Sequence, residues 1–165
     1  NSVVTREVPL RVWAPGCPVR GFAIANNIFA GYGAKAIDLI CAPAALTLDG
    51  NLYAGAFPDF ARLGGEPYAS WEDFRRRTGL ERRGRRVGDP LAPFAAMPPP
   101  PGASSSSPAP PADWRPAPDG PAIDMAIPLP GINDAFAGVA PDAGAFELGE
   151  APPGWGPRNS GRSER

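Results

Sequence analysis

Seven carboxylates in this chain of 165 residues have the chemistry to hold calcium or to work as an acid/base pair. They are Asp38, Asp49, Asp89, Asp124, Asp134, Asp142 and Glu147. Calcium loops bring such oxygens together at an Asp-x-Asp-x-Asp-Gly spacing, and the chain has no such loop. No two of the seven share a motif, so catalytic residues stay unassigned. The expectation is structural: Asp49 bonds the backbone at a turn, and Asp124 and Asp142 fix turns near the C-terminal end. Histidine is absent, which removes Ser-His-Asp triads, Cys-His dyads and histidine zinc sites from this segment. Cys17 and Cys41 cannot make a zinc cage alone and form no Cys-x-x-Cys motif. No cofactor is evident.

The other chemically competent group is basic. "FRRRTGLERRGRR" holds Arg75, Arg76, Arg77, Arg82, Arg83, Arg85 and Arg86. Guanidinium forks match carboxylates bidentately, so Arg82, Arg83, Arg85 and Arg86 are candidate contacts for an acidic polysaccharide. The run lacks the interleaved aromatic platforms of a nucleic-acid groove. A net charge of −1 predicts neither a nucleic-acid nor a membrane partner, and no apolar run is long enough to span a bilayer. The plainer reading is a solvated face with favourable charge at a helix end. Trp13, Trp71, Trp114, Tyr32, Tyr53 and Tyr68 have faces that stack on sugar rings, and core or cap packing is the simpler expectation.

A repeat positions these groups. Phe22-Ala23-Ile24-Ala25-Asn26-Asn27-Ile28-Phe29-Ala30-Gly31 aligns with Leu46-Thr47-Leu48-Asp49-Gly50-Asn51-Leu52-Tyr53-Ala54-Gly55 at an offset of 24. Repeats of this length signal stacked coils that bury their core only against neighbours. Apolar residues alternate in each copy (Phe22, Ile24, then Ile28; Leu46, Leu48, then Leu52), which is strand periodicity. The alternation breaks at Asn26-Asn27 and Gly50-Asn51, residues that tolerate a sharp corner. The predicted unit is strand, tight bend, strand, with its apolar side facing one axis. Asn27 falls on Asn51, where stacked side-chain amides share hydrogen bonds, and Phe29 falls on Tyr53 as an aromatic stack. Asn1-Ser2-Val3-Val4 reads as one more corner. Cys17 falls on Cys41, and two readings stay open. A strand spacing of about 4.8 Å exceeds the Cβ separation of about 3.8 Å in a disulfide, which favours stacked thiols. An oxidising compartment favours the disulfide.

Beyond the repeat, "YASWEDFRRRTGLE" predicts a short helix over about 70–78. Ser70 is its N-cap, Glu72 and Asp73 lie in its first turn, and Gly79 stops it. Four parts are expected: terminal coils and the helix (1–97), a disordered Pro/Ser-rich insertion (98–111), a last coil and closing segment (112–150), and a disordered tail (151–165). Residues 112–116 are expected to return to the stack as a strand. Residues 122–126 and 144–147 are expected to be short extended pieces.

Several words occur in an order that resembles secreted bacterial right-handed parallel β-helix proteins of the pectate-lyase-like superfamily. These are Asn26-Asn27-Ile28-Phe29, Asp49-Gly50-Asn51-Leu52-Tyr53, Tyr68-Ala69-Ser70-Trp71-Glu72-Asp73-Phe74, Thr78-Gly79-Leu80-Glu81, Gly88-Asp89-Pro90-Leu91, Gly120-Pro121-Ala122-Ile123-Asp124 and the closing "PDAGAFE". The resemblance implies an all-β fold: the C-terminal coils of a right-handed parallel β-helix, one short helix and an irregular closing segment. It implies a secreted or cell-surface protein that degrades or binds polysaccharide. Catalytic residues are expected mostly on upstream coils of the same chain, and calcium is a cofactor to expect in the parent. The alternative is a non-catalytic surface β-helix that binds a partner along its face. A third reading is a stand-alone cap that binds polyanions through its arginines.

Overall fold

The computed structural model describes residues 1–13, 20–100 and 112–151. Among these residues, twelve short strands and one helix follow each other as β1 (Ser2–Thr5), β2 (Leu10–Val12), β3 (Ala23–Ala25), β4 (Ile28–Gly31), β5 (Ile37–Leu39), β6 (Thr47–Asp49), β7 (Leu52–Ala54), β8 (Ala61–Leu63), β9 (Glu66–Tyr68), α1 (Trp71–Thr78), β10 (Arg85–Val87), β11 (Phe94–Ala96) and β12 (Asp113–Pro116). The protein is mostly β, and most strand pairs are parallel. One sheet runs β1-β4-β7-β10, a second β2-β5-β8-β9, a third β3-β6 and a fourth β11-β12. In the first, Ser2 pairs with Ile28, Ile28 with Leu52 and Leu52 with Arg85. In the third, Ile24 pairs with Leu48, which is the 24-residue offset of the repeat.

Four expectations need correction. The repeating unit holds a third strand, since β5 and β8 pair at the same offset (Ile37 with Ala61). Its apolar-charged-apolar words, Ile37-Asp38-Leu39 and Ala61-Arg62-Leu63, carry the period-2 signal. Ile24 and Ile28 also do not share one interior. Leu48, Phe29 and Tyr53 join a core with Ile37, Leu39 and Phe60, against which Ile24 packs, whereas Ile28 and Leu52 join a second cluster with Phe94, Ala122, Met125 and Ala143. The corner is the reason. Asn26 (φ 61) and Gly50 (φ 69) take the left-handed conformation, so the chain changes direction and the in/out phase restarts. The strands after the corner are thus buried on both faces. Lastly, the strand around Trp114 exists, but it pairs antiparallel with β11 instead of adding a parallel rung. The pieces at 122–126 and 144–147 are turns and loops. Backbone bonds such as Ala143 N to Ala122 O (2.8 Å) and Gly144 N to Asn26 O (2.9 Å) hold them down.

The helix is as its sequence specifies. Ser70 Oγ accepts from Asp73 N at 3.1 Å, and Gly79 (φ 71) closes the other end by donating to Arg75 O. Trp71 and Phe74 face the core beside Phe60, with ring centroids 5.2 and 5.6 Å away. Phe29 and Tyr53 stack at 5.6 Å with planes 27° apart, deep inside that core. Residues 101–111 and 152–165 lie outside the described residues, and with them most of the expected insertion and tail.

Candidate functional site

Charge gathers on the outer face of the β2-β5-β8 sheet. Ile37 and Leu39 turn inward, so the alternation of β5 turns Asp38 outward. The registers place Arg11 on one side of it and Arg62 on the other. Arg62 grips Asp38 bidentately, Nε to Oδ1 at 2.7 Å and Nη2 to Oδ2 at 3.0 Å. Arg11 Nε lies 3.6 Å from Oδ2 as an ion pair. The carboxylate is buried between two partly exposed guanidinia. Its hydrogen bonds and charge push Arg62 up from the usual arginine value, so that group stays cationic. Lys35 and Asp59 form a second charged pair at 3.2 Å, again 24 residues apart. Arg11, Lys35, Asp38 and Arg62, together with Glu7 and Gly33, line a groove of about 280 Å³. One carboxylate serving two guanidinia leaves the row positive. A guanidinium held in place by a buried carboxylate is suited to reading a ligand carboxylate or hydroxyl.

A second polar constellation is buried. Asn1 Nδ2 donates to Asn27 Oδ1 at 3.3 Å, Asn27 Nδ2 to Asn51 Oδ1 at 2.9 Å, and Asn51 Nδ2 to Glu81 Oε1 at 2.6 Å. The expected Asn27–Asn51 ladder is therefore present, and Asn1 extends it. Its terminus, Glu81, received no role from sequence reasoning. The signal available was its place after the helix, where the chain returns to the next rung.

The acidic residues toward the C-terminal end organise backbone. Asp124 Oδ1 accepts from Val139 N (2.9 Å) and Ala140 N (3.2 Å). Asp142 accepts from Asp124 N (2.8 Å) and Leu148 N (2.7 Å), and Glu147 Oε1 accepts from Asp142 N (3.0 Å). Asp134, Asp89 and Asp49 likewise accept from Gly131, Leu91 and Gly50 amides. Of the seven, Asp38 lines the groove on β2-β5-β8, and Asp142 and Glu147 line, with Glu150, another of about 430 Å³. Burial pushes Glu147 up from the usual carboxylate value, and its Oε2 is buried with no hydrogen-bond partner. No group of three or more His, Cys, Asp or Glu side chains among the described residues is placed to hold a metal ion.

The four candidate polyanion contacts do not form one face. Arg85 and Arg86 are neighbours on β10 and point to opposite sides, Arg85 donating to Pro121 O at 2.8 Å and Arg86 to Ala56 O. Arg82 Nε donates to Gly79 O at 3.2 Å, and the backbone N–H of Arg83 donates to Asp49 Oδ1 at 2.7 Å. Cys41 is disulfide-bonded, which overturns the stacked-thiol reading at that position, and Cys17 lies outside the described residues. The 4.8 Å spacing describes regular ladders, and Cys41 lies past the end of β5, where the chain is not bound to that spacing. Trp71, Tyr53 and Tyr68 are core residues, whereas Trp13 (73% exposed) and Tyr32 (47%) stand open to solvent. No helix among the described residues is long and apolar enough to cross a membrane.

Fold and site together define a mostly-β protein of parallel strand stacks with a charged outer groove. Compared with known proteins, the chain matches no family model, no curated protein and no solved structure.

Proposed function

We propose that these strands are coils of a right-handed parallel β-helix whose outer β2-β5-β8 face binds an acidic polysaccharide, in a secreted or surface protein that binds or degrades it. The observation that carries this reading is the Arg11–Asp38–Arg62 row lining a groove. The coil reading draws on the recurring 24-residue register in three strand pairs and on the right-handed preference of parallel crossovers. Binding, with cleavage carried by other coils, fits Asp38 best, because both of its carboxylate oxygens are committed to Arg62. A preceding coil would dock on β1 and β2, which end their sheets beside half-buried Val3, Val12 and Ile24.

Retention on a uronate polymer tests the function. Wild-type chain is expected to bind at low salt and elute as salt rises, to bind a neutral glucan weakly, and to lose uronate binding on Arg11→Ala or Arg62→Ala. Absence of retention at low salt overturns the reading. It leaves the non-catalytic surface protein as the better one.

A further inference from the structure

We propose that Glu81 is a proton-operated lock on the helix-covered end of the strand stack. The ladder that reaches it has a direction. Asn27 gives both its backbone N–H and its side-chain amide to Asn51 Oδ1, each at 2.9 Å. Asn51 repeats the pattern one rung on, giving its N–H to Glu81 Oε2 at 3.2 Å and its amide to Oε1 at 2.6 Å. The Tyr53 hydroxyl adds a third bond at 2.8 Å. Every one of these bonds arrives as a donor. An asparagine in this place would carry two amide hydrogens onward, whereas a carboxyl carries one at most, so the ladder can end here.

The same residue ties the end of the stack together. Its backbone N–H donates to Leu48 O at 2.7 Å, which continues β6, and its own φ is 52°. Gly84 then passes so close that a Cβ there would collide with the Glu81 carboxylate and lie 2.9 Å from the Trp71 ring. Opening this junction would release α1 from one side and β10 from the other, uncovering Tyr53 and Phe60.

Glu81 is fully buried, and the groups that face it supply no cation. Asp49 approaches from β6, Asn51 and Tyr53 from β7 and its corner, and Trp71 from α1. Next in the chain, Arg82 gives its Nε–H to Gly79 O, and Arg83, an exposed residue, gives its backbone N–H to Asp49. Burial therefore pushes the carboxyl up from 4.5 to about 7, with the Asn51 and Tyr53 hydrogen bonds opposing and the Asp49 charge adding. Burial and the Glu81 charge also hold Tyr53 well above the usual phenol value, so it stays neutral and remains a donor to Glu81 Oε1.

Linkage gives the direction. Folded chain keeps this proton up to about pH 7, and unfolded or opened chain releases it near 4.5. Between these values the open state binds fewer protons, so rising pH favours opening, and above pH 7 the effect is constant. The lock is tight in acid and loosens toward neutrality.

Carbon-13 NMR of the Glu81 carboxyl in the whole chain, with hydrogen exchange at the amides of Asn51 and Phe74, tests the proposal. The carboxyl is expected to titrate near 7. Protection of the Asn51 amide, corrected for intrinsic exchange, is expected to fall by up to about tenfold per pH unit between 5 and 7. Glu81→Gln should flatten that dependence whatever its absolute stability. A midpoint at or below 5, or protection unchanged from pH 5 to 7, overturns the proposal. So does a Glu81→Gln slope equal to wild type. Should the variant fail to fold, the wild-type titration decides alone.

Discussion

Asn51 donates its side-chain amide to Glu81 at 2.6 Å while its own side-chain oxygen accepts two bonds from Asn27. One fully buried side chain therefore satisfies polar groups on both neighbouring rungs. Asn51→Ala leaves the Asn27 N–H without its acceptor and a buried carboxyl without its shortest donor. The expected loss is about 3 kcal/mol, measured as a shift in urea midpoint at unchanged slope. A loss below about 1 kcal/mol would mean that the ladder is incidental to stability.

The helix should contribute through its buried face more than through its caps. Phe74 has no exposed surface and meets the rings of Phe60 and Tyr68. Phe74→Ala is expected to cost about 3 to 5 kcal/mol, and Ser70→Ala about 1 kcal/mol. Denaturant curves for the two variants check the order, and equal costs would contradict the packing described.

Gly144 holds the closing segment against β1 and β4. Its φ is 107°, and a Cβ there would lie 2.7 Å from Ser2 Oγ and 2.8 Å from Ile28 Cδ1. Gly144→Ala is therefore expected to lift this segment from β1 and β4 and expose it to protease. Limited proteolysis reads this directly, as new cleavage within residues 140–150 while the strand stack stays intact.

In the groove, the two arginines should separate binding from stability. Arg62→Ala removes both short bonds to buried Asp38 and is expected to lower the melting temperature, by less than loss of a buried partner would because Arg62 itself is partly exposed. Arg11 makes only the 3.6 Å contact, so Arg11→Ala should change stability by less than about 0.5 kcal/mol and still weaken uronate binding. Replacement of Arg85 or Arg86 should leave binding unchanged, since backbone carbonyls hold both. Affinity and melting data on the same four variants decide.

Ile24→Asp tests the register of the stack. Ile24 pairs with Leu48 and packs, half-buried, against the aromatic core. The charge is expected to lower the melting temperature markedly, and Leu48→Asp to lower it further because Leu48 is 1% exposed. An unchanged curve would place Ile24 on the outer side.

Local chemistry settled part of this protein. The 24-residue repeat, the corners at Asn26-Asn27 and Gly50-Asn51, the Asn27–Asn51 contact and the capped helix at Ser70 are written in neighbouring residues or in one constant offset, so the sequence alone determined them. Tertiary structure decided what no offset encodes. Ile28 and Leu52 face the closing segment and not Leu48, because a left-handed corner resets the alternation and residues 122–143 fold back over that face. Glu81 completes the ladder 30 residues after Asn51, across a hairpin and a helix that break the repeat. Asp38 lies between Arg11 and Arg62 because three strands stack in parallel register. A charged residue becomes part of a groove only when distant strands bring its partners within hydrogen-bonding distance.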